Sequence, residues 1–572
     1  MTSQSGTSPS DDASSLFSAA EDQDRKLKKD LGFWSLVAAG IGSVIGSGWL
    51  FAAMYASKAA GPAALISWVI AGGLMLMIAL VFAELGMVRP ESGGLVRYPL
   101  YSNGRLAASI IGWAIWLAYI GNPPTEAAAV VQYASSWWHG SSWWQDVFSD
   151  GKLTILGTVV AVALMGLFVL INFFGVKAFA KSNNIVTVVK IFIPIITIIL
   201  FIASGFGASS KAGGFSDNIS AHGFAPYGIS ASLGAIASGG LIFAYTGFRN
   251  IVELSGEARN PTRDLPRALI VTIGFSIVFY ILLQVGFIGA LPGSSLAKTA
   301  GWHGVNFDSP FSDVAKLLGF TWLSWLLIAD SSISPSGSGI VYTAANARNV
   351  FGLAKNGLFP RATMKISDKT GVPVVALMLN FVVGAGFIVL LPSWQSLIEV
   401  LSALGALAFS IGSVSLMVFR NVELGSGETR LWGMKVMAPL AFMVSSLVIF
   451  WQDWGTLWKT AIPLAFGLAW FFITFARGQR DPGDISGGLW LPIYIVFVYA
   501  MASIGNFGGA ALIPQPWDTI IVSIGSLGAY YWGAQAGTAY LKGHPTLLDM
   551  LRRRVGDDTD SSSSLDPEPG AA

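Results

Sequence analysis

Apolar stretches of about 20 residues recur along most of this sequence and are separated by short polar loops. A stretch of that length spans the bilayer core as an α-helix, at ~1.5 Å per residue. A membrane barrel would show shorter segments of alternating polarity. We therefore predict an all-α membrane protein with about fourteen spanning helices. Their predicted first residues are Phe33, Gly61, Leu106, Leu153, Asn184, Ser232, Ala268, Leu318, Val372, Gln395, Leu431, Leu457, Gly488 and Pro516.

The composition agrees with this pattern. Of 572 residues, 53% are hydrophobic and only 12% are charged, and the mean hydropathy of +0.61 is too high for a water-soluble chain. The net charge of +2 gives little information on partners, so we expect the lipid bilayer and no nucleic acid. The chain has no cysteine, which excludes a disulfide, a thiolate nucleophile and a cysteine-ligated metal.

Lysine and arginine are concentrated before the first predicted span and then in every second loop. Positive residues favour the cytoplasmic side, so we expect cytoplasmic N- and C-termini in a multi-pass protein of the cell membrane. A loop on the other side contains SSWWHGSSWW, Ser135 to Trp144, whose four tryptophans suit the outer interface. The basic groups are Arg25, Lys26, Lys28 and Lys29; Arg89, Arg97 and Arg105; Lys177 and Lys181; Arg259, Arg263 and Arg267; and Arg348, Lys355 and Arg361.

The two ends of the chain differ from the rest. Residues 1–30 are predicted to form a disordered cytoplasmic tail, and residues 542–572 a cytoplasmic C-terminal tail whose last ~18 residues are disordered. No cleavable signal peptide is expected, because the first apolar run follows a long polar stretch and is of full spanning length.

Nothing in the sequence indicates an enzyme. The four histidines, His139, His222, His303 and His544, fall in loops or in the tail, so we expect no catalytic residue and no metal site. The chain has no G-x-x-x-x-G-K-[ST] loop and no soluble insertion for a nucleotide domain. We expect no cofactor and no transport driven directly by ATP within this chain.

The first predicted span carries four glycines in GIGSVIGSG, Gly40 to Gly48, although each glycine costs up to ~1 kcal/mol of helix stability. One explanation is close helix packing through small residues. The other is a helix broken at the membrane midplane, whose free amides bind an anion. The sixth predicted span has glycines at Gly239, Gly240 and Gly247, five spans later, as expected for an inverted repeat.

Several blocks in order resemble the amino acid, polyamine and organocation (APC) transporter superfamily. They are GIGSVIGSGWLF, FAELGMVRPESGGLVRYPLY, FAYTGFRN with EARNPTRDLPRAL, and ARNVFGLAKNGLFP. The resemblance covers roughly residues 31–420 and implies a LeuT-like 5+5 inverted repeat with helices 1 and 6 broken. Residues 430–541 would then form the additional helices 11–14, as in longer members. Within the superfamily the chain looks closest to bacterial aspartate–proton symporters.

The resemblance also implies where an amino acid binds. The substrate carboxylate would lie at the break in helix 1, and its ammonium would meet backbone carbonyls at the break in helix 6, where Phe243 takes the place of an aromatic lid. Half-helix dipoles agree with both assignments. The implied substrate-binding residues are Ile45, Gly46, Ser47 and Gly48; Phe243, Ala244, Tyr245, Thr246 and Gly247; and Asn122 and Tyr342.

Two charged residues in apolar spans are candidates for ion coupling. Lys190 would match, by resemblance, the lysine that replaces sodium in sodium-independent members, where it would reach carbonyls near Gly42 and Ile45. Glu126 follows Pro123 and Pro124 in span three. Each has an alternative structural role, a salt bridge or snorkelling for Lys190 and a hydrogen bond to freed amides for Glu126.

Arg249 stands where many relatives have an acidic residue. It stays charged, so it needs an anion nearby, either an acidic substrate side chain or Glu253 in a salt bridge. Asp330, in the hydroxyl-rich span eight with Ser334, Ser338 and Tyr342, is a second candidate for substrate selectivity, expected nearer the outer side. Glu84 and Arg89, at the cytoplasmic end of span two, are expected to act as a gate or as loop scaffolding and not as substrate ligands.

These features predict a secondary active amino acid transporter. The preferred hypothesis is a proton-coupled symporter for aspartate and glutamate. The alternative is an exchanger or a permease for neutral or cationic amino acids. A channel would need a continuous polar file, whereas the polar positions here are concentrated at the paired breaks.

Overall fold

The computed structural model describes residues 29–91, 94–136, 147–174, 176–207, 211–298, 301–367, 372–425, 427–477 and 481–553, with backbone only for 176–187 and 477. Most of the predicted tryptophan loop, residues 137–144, lies outside the described residues, as do residues 1–28 and 554–572 of the predicted tails.

The described chain is almost entirely helical, with one two-residue hairpin, β1 Phe148–Ser149 and β2 Lys152–Leu153. Apolar sequence favours helices here because each spanning segment must satisfy its own backbone hydrogen bonds. The helices are α1 Phe33–Val44, α2 Gly48–Ala60, α3 Ala64–Val88, α4 Gly94–Ile120, α5 Asn122–Ala134, α6 Ile155–Phe174, α7 Val176–Phe206, α8 Phe215–Ser220, α9 Gly228–Ser238, α10 Leu241–Tyr245, α11 Phe248–Glu253, α12 Pro261–Ala290, α13 Gly293–Lys298, α14 Pro310–Leu318, α15 Thr321–Lys355, α16 Val374–Leu390, α17 Trp394–Asn421, α18 Met434–Phe450, α19 Trp454–Arg477, α20 Pro482–Gly488, α21 Trp490–Ile504 and α22 Trp517–Lys542.

Within the described residues, nine helical segments are long and apolar enough to cross a membrane. The number is ten when α9 and the α10–α11 pair count as one span, bent by 53°. The predicted class, an all-α membrane protein, is therefore confirmed. The total of fourteen crossings stays a prediction from the sequence.

The first glycine-rich segment leaves helical geometry where α1 ends at Val44. Ile45 has φ −89° and ψ 84°, and the next helix begins at Gly48. In the sixth segment the interruption comes twice, between Ser238 and Leu241 and between Tyr245 and Phe248. Gly240 has φ +81°, a backbone conformation that L side chains rarely adopt, so glycine is required there.

Glycine also lets the two interrupted segments touch. A Cβ at Gly247 would lie 2.7 Å from the backbone nitrogen of Val44, closer than any side chain can be accommodated. A Cβ at Gly48 would be 3.6 Å from the Cβ of Ala244, an ordinary contact. Close packing through glycine is therefore present at Gly247, whereas a break at the membrane midplane whose free amides bind an anion stays a prediction.

The helices beyond α17 pack on the bundle through buried polar contacts. Arg420 makes a bidentate ion pair with Glu84, at 2.6 and 2.7 Å, and the Leu431 amide donates to the same carboxylate at 2.9 Å. This scaffolding position for Glu84 agrees with its expected role. Asn103 donates to the carbonyls of Gly487 and Gly533, which fixes α20 and α22 against α4.

The chain after α22 folds back onto the bundle. Residues 545–553 are helical, Leu551 is fully buried, and the Arg552 guanidinium donates to the Val422 carbonyl at 3.2 Å. The N-terminal end of the described chain is also attached, because Leu31 forms a β-bridge with Ala258. The helix at 545–553 lies within the predicted C-terminal tail, and Leu31 lies directly after the predicted N-terminal tail.

Candidate substrate-binding and ion-coupling site

The first interruption is occupied by a carboxylate from another helix. The backbone N–H of Ser47 donates to Oε2 of Glu126 at 3.0 Å, and both residues are buried. A Cβ at Gly46 would lie 2.7 Å from Oε1 of Glu126, so glycine is needed for this approach. The first turn of α2 has amides that its own helix cannot satisfy, and Glu126 takes one of them.

The second interruption packs against the end of α1, because Gly247 lies beside Val44. Helix α10 ends at Tyr245, and the Phe243 carbonyl accepts from both the backbone and the hydroxyl of Thr246, at 3.1 and 2.7 Å. The Tyr245 hydroxyl donates to the Trp68 carbonyl at 3.1 Å, so this side chain points to α3 and away from Ser47.

Lys190 lies within reach of Glu126. Its side chain is buried, and its ammonium donates to Oγ of Ser338 at 2.6 Å while interacting electrostatically with Glu126 and Asp330. No hydrogen bond from Lys190 to the carbonyls near Gly42 and Ile45 is found among the described residues, so that contact stays a prediction. The hydroxyl-rich α15 supplies the nearest oxygen instead.

Asp330 belongs to the same charge cluster. It is fully buried, accepts from the Ser334 hydroxyl at 2.7 Å, and its Oδ2 has no hydrogen-bond partner among the described residues. Its strongest charged neighbour is Lys190. The structure therefore places Asp330 with the ion-coupling candidates and gives it no contact with Arg249.

Arg249 is held between two tyrosine rings. Its Cζ lies 4.0 Å from the ring centroid of Tyr119 and 5.5 Å from that of Tyr342, and its Nη2 donates to Asn122 at 3.2 Å. Only 3% of Arg249 is exposed, and its Nε has no hydrogen-bond partner among the described residues. The guanidinium is thus fixed by π-faces and one amide oxygen, neither of which neutralises its charge.

The expected alternative, a direct salt bridge between Arg249 and Glu253, does not form among the described residues. The Tyr119 hydroxyl hydrogen-bonds to the Glu253 carboxylate instead, so the tyrosine lies between the two charges. Sequence reasoning missed Tyr119. The available signal was its position three residues before Asn122, on the same proline-interrupted segment.

A cavity of about 730 Å³ leads to these residues. Lys190, Ser338 and Tyr342 line its deep part, so of the predicted site residues only Lys190 and Tyr342 contact it directly. The other predicted residues are buried behind them. Glu253 and Glu257 also line the cavity, and we call the side lined by Arg348 and Lys355, at the C-terminal end of α15, the basic end.

The opposite side is closed by aromatic rings, which we call the aromatic plug: Phe51, Tyr55, Tyr133 and Trp394. Trp394 stacks on Tyr55 at 5.6 Å and contacts Phe51 at 4.8 Å. Its indole N–H donates to the Ser47 hydroxyl at 2.9 Å, and Phe243 meets its ring edge-on at 6.3 Å. The Tyr133 carbonyl accepts from Ser309, and the nearby Ser312 hydroxyl bonds to Ser324 at the start of α15, whereas Arg348 and Lys355 lie at the end of α15. The plug and the basic end therefore lie toward opposite ends of this helix.

Two facing interrupted helices, buried charges and a cavity closed at one end are features of a carrier for small molecules. Residues 31–455 match the model of the amino acid permease family, and the chain belongs to that family. The predicted superfamily and its LeuT-like fold class are thereby confirmed.

Two relatives from Bacillus subtilis (strain 168) extend the similarity over nearly the whole chain. The glutamate/serine transporter AimA is 37% identical, over 90% of this chain and 96% of the relative. The aspartate-proton symporter is 35% identical, over 89% and 97%. A solved structure of a mutant Eremococcus coleocola manganese transporter is similar at TM-score 0.48 and 14% identity, covering 92% of this chain and 99% of that chain.

Proposed function

We propose that this protein is a secondary active transporter that takes up aspartate and glutamate together with protons by alternating access. The names of its two bacterial relatives, one for glutamate and serine and one for aspartate and protons, support the substrate class and the coupling ion. The fold supplies a site between two interrupted helices and needs no cofactor for this task.

The observation that supports an acidic substrate is the buried guanidinium of Arg249. A buried guanidinium without an ion-paired carboxylate among the described residues is costly, because burial removes its hydration. A substrate carboxylate from the side chain of aspartate or glutamate would remove that cost. Asn122 and Tyr342, which contact Arg249, would then border the acidic side chain.

The substrate backbone is assigned to the interruptions. We place its α-carboxylate at the amides of Ile45, Gly46, Ser47 and Gly48, and its ammonium at carbonyls of residues 243–247. The two interruptions would lie at the membrane midplane. Lys190 and Glu126 would carry the coupling, with Asp330 acting on Lys190.

The arrangement corresponds to a carrier open on one side. The positive residues of the basic end favour a cytoplasmic position for it, which would put both termini in the cytoplasm of a cell-membrane protein. The cavity is then open inward and the aromatic plug is closed outward. Residues 31–420 would form the transport core, residues 430–541 the additional helices, and residues 542–572 a cytoplasmic tail.

Proteoliposomes containing the purified protein test the function. Radiolabelled aspartate should accumulate when the interior is made alkaline, and excess unlabelled glutamate should compete. Liposomes without protein give the background. Failure of aspartate and glutamate to compete would eliminate the acidic substrate class, and accumulation driven only by a sodium gradient would eliminate proton coupling.

The second candidate is an exchanger or a permease for neutral amino acids. The word serine in the name of one relative favours including it. Serine that competes as well as aspartate, or aspartate uptake that requires internal amino acid and no pH gradient, would support this candidate. A channel would pass flux without counterflow.

A further inference from the structure

The carboxylate of Glu126 occupies an amide that a substrate needs. The Ser47 N–H donates to Glu126 Oε2 at 3.0 Å, across 79 residues of sequence. Glu126 is 1% exposed. A carboxylate of the protein therefore sits where the proposed function puts the α-carboxylate of an amino acid.

Two carboxylates cannot share this position. One N–H makes one strong hydrogen bond, and two adjacent negative charges in a buried site repel each other. The amide is also at the start of α2, where the helix dipole favours a single anion. The substrate can therefore take the Ser47 amide only after Glu126 has given it up or has lost its charge.

We propose that Glu126 and the substrate α-carboxylate compete for the Ser47 amide, and that protonation of Glu126 decides the competition. This inference rests on the proposed function and gives its coupling step a named atom. A neutral carboxyl accepts a hydrogen bond about half as strongly as a carboxylate, so a proton on Glu126 releases the amide. One proton bound then accompanies one amino acid bound.

The surrounding charges fit this exchange. Lys190 is the cation that acts on Glu126, and it also acts on Asp330. The phenols of Tyr280 and Tyr342 face Glu126 from α12 and α15. When the substrate carboxylate replaces the charge of Glu126, the net charge beside Lys190 is unchanged. The exchange therefore leaves no unpaired charge in the buried cluster, which would be costly.

Binding affinity as a function of pH tests the competition. With one linked proton, the Kd of the wild-type protein for aspartate should rise by up to about tenfold per pH unit once Glu126 ionises. The linkage is reciprocal, so bound aspartate should also favour the protonated form of Glu126. Glu126→Gln cannot ionise, so its Kd should stay low and independent of pH. Glu399→Gln removes another buried carboxylate, which contacts Thr456 and Gln395, and should keep the wild-type slope. A wild-type slope in Glu126→Gln overturns the inference.

A pair of variants at one position separates competition for the amide from simple proton carriage. Ser47 has φ −65°, which proline adopts, so Ser47→Pro removes the N–H with little change of backbone conformation. Ser47→Ala keeps the N–H and loses the hydroxyl. We expect the pH slope in Ser47→Ala and its loss in Ser47→Pro. A slope in both variants shows that Glu126 carries a proton without competing for this amide, which overturns the inference.

Calorimetry of the wild-type protein covers the case in which a variant does not fold. Aspartate binding in buffers of different ionisation enthalpy should show the uptake of about one proton where Glu126 is ionised. Binding without proton uptake at any pH overturns the competition and leaves the acidic substrate intact. If the wild-type protein binds serine and no aspartate, the proposed acidic substrate class is wrong. The dependence of Kd on pH in the wild-type protein and the variants is then measured with serine.

Discussion

The guanidinium of Arg249 lies 4.0 Å from the ring centroid of Tyr119, and the hydroxyl of the same tyrosine binds the Glu253 carboxylate. Tyr119 thus holds the cation on its face and the anion at its hydroxyl, and prevents a direct salt bridge between them. The guanidinium therefore has no directly ion-paired carboxylate among the described residues.

Arg249→Ala should weaken the binding of aspartate and glutamate far more than the binding of serine. The lost charge-assisted hydrogen bonds contribute about 1.5–3 kcal/mol, which corresponds to a roughly 10- to 100-fold higher half-saturation concentration for aspartate. Competition by aspartate and by serine against the same labelled substrate measures both changes. Arg249→Lys keeps the charge and loses the planar contact with Tyr119. Its half-saturation concentration for aspartate should lie between those of the wild-type protein and Arg249→Ala. An equal loss for both substrates would favour a structural role.

Lys190→Ala should abolish the accumulation of substrate by a pH gradient. Without the Lys190 ammonium, Glu126 has lost the cation that acts on it. Binding and release of a proton by Glu126 would then no longer be matched to the pH gradient. Uptake under an imposed gradient and counterflow at equal pH are measured on the same proteoliposomes. Ser338→Ala, which removes only the hydrogen bond to Lys190, is the matched control and should retain accumulation. Normal accumulation by Lys190→Ala refutes its role.

Single cysteines report which end is open, because the chain has none of its own. A cysteine replacing Ala345, which lines the cavity, should react with a thiol reagent added at the basic end. A cysteine replacing Tyr55 in the aromatic plug should be protected. Adding Trp394→Ala should expose it, because Trp394 covers Tyr55 and is held by Ser47. Unchanged protection after Trp394→Ala would show that these contacts do not close the outer end.

His544 should make the attachment of residues 545–553 sensitive to pH. Its Nδ1 faces the Tyr540 carbonyl and its Nε2 faces the Asp481 carboxylate, each at 2.7 Å, so only the doubly protonated ring can donate to both. Partial burial alone would lower the pKa of His544, but the Tyr540 carbonyl and Asp481, with Asp484 nearby, raise it above its usual value.

The sign follows from the raised pKa. The stabilisation is complete below the pKa of an unfolded histidine, ~6.5, and is lost as the pH rises through the higher folded value. Because the pair is partly exposed, it contributes about 0.2–1 kcal/mol. The protection factors of the amides in residues 545–553, which correct for the intrinsic pH dependence of hydrogen exchange, should be higher at pH 6 than at pH 9, and His544→Gln should remove the difference. A pH effect that persists in the variant would exclude the histidine.

The predicted helices and the two glycine-rich segments were accessible from sequence because they depend on local properties. Apolar runs of spanning length form helices in a bilayer wherever they occur. The φ of +81° at Gly240 is likewise a local feature, because glycine adopts this backbone conformation without a steric penalty. Lys190, Glu126 and Arg249 were identified because a charge in an apolar span needs a partner. The sequence did not predict which residue each of these charged side chains contacts.

Sequence alone therefore determined the class of protein, the interrupted segments and the buried charges. Only the tertiary structure decided that Glu126 occupies the Ser47 amide, that Lys190 binds Ser338, and that Tyr119 lies between Arg249 and Glu253. The physical reason is range: helix formation is set by neighbours within a few residues. These contacts join positions 79 to 148 residues apart, and packing of the whole bundle brings them together.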